Sequence, residues 1–189
     1  MAVMFLERYS RITYVRDFQV PLGETIKAFF SGFTHVSVVS IIPILEGVIR
    51  KIALAQNRDV GNGTRGILRE FEGFVAREVA SPNSFGERLV MLEALRKFIE
   101  DRLLAHTANY TGQNEFNRHG ILHGVFGDYG DPLNFFRAVT ILDLTCFSIG
   151  LLHGGVSAFA PEDTSMSRKL AQFYRVLKKL NEYETEAGI

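Results

Sequence analysis

The stretch Val36-Ser37-Val38-Val39-Ser40-Ile41-Ile42-Pro43-Ile44-Leu45-Glu46-Gly47-Val48-Ile49-Arg50-Lys51-Ile52 decides between a helical and a mixed fold. Its first seven residues hold three Val and two Ile, a composition that strands favour. Beyond Pro43, however, Ile44, Leu45, Val48, Ile49 and Ile52 keep the spacing of a helix. The stretch is apolar nearly all round, which is the signature of a central helix. Pro43 predicts a kink or a boundary near Ile42, because proline removes an N–H and crowds the preceding turn. Glu46 and Arg50 stand four apart and so share a face. They are either a buried pair lining a cleft or a simple exposed pair, and the simple pair is the plainer reading.

Working outward, the neighbouring segments are helical too. Residues 1–20 mix Phe5, Leu6, Ile12, Val15 and Phe18 with charged residues, suggesting a helix and then an extended arm ending at Pro21. Gly32 marks a break or a close helix approach. After a loop over 56–63, Ile67, Leu68, Phe71, Phe74, Val75 and Val79 recur at three and four. Ser84 and Glu87 have the spacing of a capping box, opening a helix that runs to about His106. Asp131 and Pro132 fit N-cap and N1 of a long apolar helix that Gly154-Gly155 would end. A last helix starts near Pro161 to Ser165, with Leu170, Phe173, Leu177 and Leu180 on one face. No alternating strand pattern and no repeat is visible. The expectation is an all-α bundle of about six helices, with residues 1–20 as an arm and 21–189 as one domain.

Composition narrows the function. The chain has 189 residues, 47% hydrophobic and 22% charged, an ordinary globular balance. Twenty-one basic residues face 21 acidic ones, so no overall basic footprint advertises nucleic acid. The single cysteine, Cys146, lies in an apolar run and reads as a buried, inert thiol; a reducing cytoplasm fits. Phe29 to Ile49 carries His35, Glu46 and four Ser/Thr residues, and Ala138 to Leu152 is interrupted by Asp143. Both fall short of the roughly 20 uninterrupted apolar residues of a membrane span and read as core helices.

The densest chemistry lies in Asn117-Arg118-His119-Gly120-Ile121-Leu122-His123-Gly124. On a helix His119 and His123 lie about 40° apart in azimuth, one turn from each other, whereas Arg118 lies about 140° from His123. Arg118 and His123 converge if the arginine wraps round, if the helix begins between them, or if a second molecule completes the site. Gly120 and Gly124 each cost a helix about 1 kcal/mol relative to alanine, which predicts close approach by a partner helix or a ligand. Histidine gives and takes protons near neutral pH, and arginine binds phosphate with a permanent charge. Together, without metal or other cofactor, they suffice to let a ribose 2′-hydroxyl attack its own phosphodiester. The rival reading is a zinc site on His119 and His123, with Asp128, Asp131, Asp143 or His153 as the missing ligand. A structural role for both histidines is the plainest alternative.

Arg118-His119-Gly120-Ile121-Leu122-His123 resembles the signature of HEPN-domain ribonucleases: Arg, often a polar residue next, and His five after the Arg. Asp128-Tyr129-Gly130, Asn134 and Leu142-Asp143-Leu144 are similar to the continuation seen in bacterial helical proteins with this motif. The resemblance covers roughly residues 35–155. It implies a helical bundle with an up-and-down core and a homodimer that brings two motifs into one cleft. It also implies metal-independent RNA cleavage and a role as toxin, anti-phage or stress effector. By the same resemblance His123 is general base or acid, Arg118 the phosphate stabiliser and His119 an accessory group. Asn117, Asp143 and Glu46 are supporting candidates, Asp143 by orienting a motif histidine. The implied partners are RNA, a second copy and an antitoxin protein. Some members of the family are non-catalytic binding modules, which is the alternative for this chain.

Gly61-Asn62-Gly63-Thr64-Arg65-Gly66 matches a dinucleotide fingerprint, but no strand precedes it, so a loop is the better reading. The basic positions of the last helix read as a solvated face. His35, His106 and His153 receive no role.

Overall fold

The computed structural model describes residues 1–58, 61, 63–82, 84–152 and 161–188. Among these the regular structure is helical throughout, with no strand. The elements are α1 (Thr13–Arg16), α2 (Gln19–Phe30), α3 (Thr34–Ala55), α4 (Thr64–Ala80), α5 (Gly86–Phe98), α6 (Arg118–Leu122), α7 (Pro132–Leu152) and α8 (Ser165–Ala187). Single π-helical segments run over Met4–Tyr9 and Ile99–Leu103, and 3-10 turns over Thr107–Asn109 and Gln113–Glu115. Six of the eight α-helices have twelve residues or more, so the described residues hold more helices than the about six expected.

Helix α3 is the hub. It packs against α1, α2, α4, α6 and α7, and it buries Val38, Ile41, Ile42, Leu45, Val48 and Ile52 almost completely. Burying each such side chain contributes about 1.5–3 kcal/mol. Its β-rich first half is helical because those residues have neighbours on several sides, and packing outweighs the modest β preference of Val and Ile. Pro43 lies inside α3 rather than at a boundary. Helix α7 lies beside it and buries Phe135, Ala138, Ile141, Leu142 and Cys146. Burial pushes the Cys146 thiol up to about 12, which keeps it protonated and inert. Asp131 Oδ1 accepts the Leu133 N–H at 2.7 Å, the cap expected for α7. The expected Gly154-Gly155 end lies outside the described residues.

Several expectations need correction. Residues 1–20 do not end in an extended arm: α2 begins at Gln19, and Pro21 falls in its first turn, where a missing N–H costs nothing. Tyr9 and Val15 are fully buried, so this segment is part of the core. The Ser84/Glu87 capping box does not form: Phe85 is the N-cap of α5, and its N–H is taken by Glu78 Oε1 at 3.2 Å. Helix α8 turns Ser167, Leu170, Tyr174 and Leu177 inward, whereas Phe173 and Leu180 are 43% and 53% exposed. Tyr174 stacks on Phe30 of α2 with ring centroids 4.6 Å apart, which sets that rotation. Gly32, at φ 84°, permits the close approach expected of it, since a Cβ there would lie 1.8 Å from Asn181 Oδ1 of α8.

Candidate active site

Asn117 begins the site. It is fully buried, and its Oδ1 accepts the Gly120 N–H at 2.9 Å, capping α6. Its Nδ2 donates to the carbonyls of Arg102 (3.1 Å) and Ala105 (2.8 Å). One side chain thus starts the motif helix and ties it to the segment that follows α5. Its place is structural and supporting, as a buried amide with its polar atoms satisfied.

Arg118 is the first residue of α6 and His123 its C-cap, so the motif is one short helix with its two signature residues at the ends. Arg118 turns toward α3, where its Nε donates to Glu46 Oε1 at 2.6 Å and its Nη2 lies 3.4 Å from Oε2. The two side chains are 19% and 15% exposed. Arg50 Nη2 stands 3.9 Å from the same carboxylate. Glu46 and Arg50 are therefore not a simple exposed pair but part of a wall beside the motif. Among the described residues nothing hydrogen-bonds Arg118 Nη1.

His119 and His123 stack with ring centroids 5.0 Å apart and an interplanar angle of 28°, the one-turn relation the spacing predicts. His119 is half-buried and His123 exposed. Burial holds the His119 imidazole below the usual histidine range. Arg118, His123 and His106 push in the same direction, and the Glu46 carboxylate opposes them. His119 is thereby biased to the neutral form at pH 7. His106, given no role in the sequence, stands near enough to act on His119, and its Nδ1 accepts the Ala108 N–H at 3.2 Å. No local pattern announces it, because the turn between the two residues sets the approach.

Two expectations at the motif need correction. Asp143 does not orient a motif histidine: it accepts a hydrogen bond from the Tyr9 hydroxyl of the N-terminal segment. Burial raises its carboxyl, with the Tyr9 bond and Arg8 partly offsetting. Gly120 makes room for its own chain, since a Cβ there would lie 2.1 Å from Phe126 Cδ2. Gly124 has open space around it and φ 66°, so it serves a left-handed turn after α6.

Other signals fall away from the site. Gly61 has φ 58° and precedes α4 without a strand, so the fingerprint around it lacks its βαβ setting; Asn62 lies outside the described residues. Among the described residues no group of three His, Cys, Asp or Glu side chains gathers as a metal site. Pro132–Gly150 of α7 is longer than the sequence suggested and passes a length-and-composition test for a membrane span. Yet 61% of that window is buried, as in a core helix. Comparison with protein-family models, curated proteins and solved structures gave no match. The fold and site thus define an all-α protein with an Arg/His/His motif on a short surface helix.

Proposed function

We propose that the chain is a metal-independent endoribonuclease of HEPN type, working as a homodimer. The observation that carries the reading is α6 itself: Arg118, His119 and His123 on one short helix at the surface, with Arg118 braced by Glu46. In the reaction, a neutral imidazole takes the proton of a ribose 2′-hydroxyl as its oxygen attacks the adjacent phosphorus. The 5′-oxygen leaves with a proton from an imidazolium. The products are a 2′,3′-cyclic phosphate and a 5′-hydroxyl end. Arg118 Nη1 meets the charge gathering on the phosphoryl oxygens, while Glu46 fixes the other edge of the guanidinium. His123 is the proton-transfer residue and His119, biased neutral, an accessory group. A second copy supplies the opposite proton-transfer residue. RNA incubated with the protein in EDTA tests the reading through the chemistry of the new ends.

One observation favours a second reading. Glu46 already neutralises Arg118, which suits a non-catalytic module whose cleft binds RNA or a partner protein. Binding of RNA without turnover, unaffected by His123→Ala, distinguishes it.

A further inference from the structure

A cleft of about 420 Å³ is lined by Phe98, Arg102, Tyr110, Thr111, Phe116 and Arg137, and the Asn117 anchor bonds the backbone carbonyl of one of them, Arg102. That volume is in the range of about 300–1,000 Å³ typical of small-molecule sites. Two guanidinium groups meet there. Arg137 donates to Asn134 Oδ1 at 2.8 Å, which holds it in place without neutralising it. Among the described residues neither Arg102 nor Arg137 pairs with a carboxylate, whereas Arg58, Arg96 and Arg118 each have one. Both cations act on the Tyr110 hydroxyl, which the Phe116 backbone also meets. An acid that acts on that hydroxyl, Glu115, accepts the Asp128 N–H at 2.9 Å.

The floor is aromatic. Phe98 is half-buried and stacks on buried Phe116 at 6.1 Å. Gly112 keeps the polar end clear: a Cβ there would lie 2.3 Å from the Tyr110 hydroxyl and 2.8 Å from Arg102 Nη1. Two guanidinium groups without carboxylate partners in one cleft attract an anion, and such forks match phosphate oxygens. Ring-faced walls beside them suit a flat ring on the same ligand.

We infer that this cleft is a binding site for a phosphate monoester whose organic part bears a flat ring, about the size of a mononucleotide. Arg102 and Arg137 hold the phosphate, Tyr110 and Thr111 add hydroxyl contacts, and Phe98 takes the ring. The inference is independent of RNA cleavage, since none of these side chains belongs to the motif.

Calorimetric titration at low salt with AMP, phenyl phosphate, adenosine and inorganic phosphate tests it. AMP is expected to bind saturably below about 1 mM, with adenosine at least about ten-fold weaker. Arg102→Gln should weaken AMP by about ten-fold or more, and Arg102→Gln/Arg137→Gln should abolish binding, with circular dichroism and melting checking the fold. If the double variant does not fold, Arg102→Gln alone decides, because its backbone carbonyl still holds Asn117. Phenyl phosphate binding as tightly as AMP assigns the site to any phosphorylated ring; AMP alone assigns it to nucleotides. No saturable AMP binding, or AMP affinity unchanged in Arg102→Gln, overturns the inference.

Discussion

Arg118 Nε sits 2.6 Å from Glu46 Oε1, joining the first residue of the motif helix to the middle of the central helix across 72 residues of chain. The pair brings the central helix of the core into the candidate site. It aims the guanidinium, and it leaves one edge for an anion. Glu46→Ala removes the aim but not the charge, so RNA cleavage should fall about ten-fold. Arg118→Ala removes both and should cost about a hundred-fold or more. Cleavage rates of the two single variants and the double variant check this. Additive losses would mean that Glu46 does not act through Arg118.

Asn117→Ala should destabilise the protein by about 2–3 kcal/mol. It removes a helix cap and leaves the Arg102 and Ala105 carbonyls without their donor. Asn117→Asp keeps the cap acceptor but sets a buried carboxylate oxygen against those two carbonyls, so at pH 7 it should cost at least as much as alanine. Urea unfolding monitored by circular dichroism reads both.

The two motif glycines should respond differently. Gly120→Ala forces a methyl into the Phe126 ring and should cost about 1–3 kcal/mol, partly recovered by Phe126→Leu in the same chain. Gly124→Ala meets no neighbour and should cost only the left-handed backbone penalty of about 1–2 kcal/mol. Phe126→Leu should not relieve it. Melting temperatures of the four variants separate steric from backbone cost.

Burial holds the Asp143 carboxyl above its ordinary value in the fold. Below the unfolded value, about 3.9, both states are protonated. As pH rises through the raised value the folded carboxyl resists ionising, so its contribution to stability is lost. Asp143→Asn cannot ionise and still accepts from Tyr9. Its melting temperature should therefore gain on wild type as pH rises from about 4 to 7. A difference independent of pH would contradict this. Tyr9→Phe leaves the buried carboxyl without its donor and should cost about 1–3 kcal/mol.

Much of this was legible in the sequence. Ile44, Leu45, Val48, Ile49 and Ile52 carry the helical period of α3, and Asp131-Pro132 announces α7, because both signals are local. The motif's place at a helix start was legible for the same reason, as was the one-turn relation of His119 and His123. What failed depended on distant neighbours. Ser84 and Glu87 have capping spacing, yet Glu78 of the preceding helix takes the Phe85 N–H instead. Gly120 looked like room for a partner, but Phe126, six residues on, fills it. Asp143 looked like a motif helper until the N-terminal segment folded back to bring Tyr9 against it. Glu46 was legible as a candidate, but its link to Arg118 exists only once α6 docks on α3.

The histidines of the motif are expected to cut RNA without metal. Single-stranded RNA incubated in EDTA with wild-type protein and with His123→Ala tests it, with end-group analysis of the products. Cleavage by wild type should leave 2′,3′-cyclic phosphate and 5′-hydroxyl ends, should not occur at 2′-deoxy positions, and should be lost in His123→Ala. No cleavage by wild type, or equal cleavage by both proteins, would contradict it.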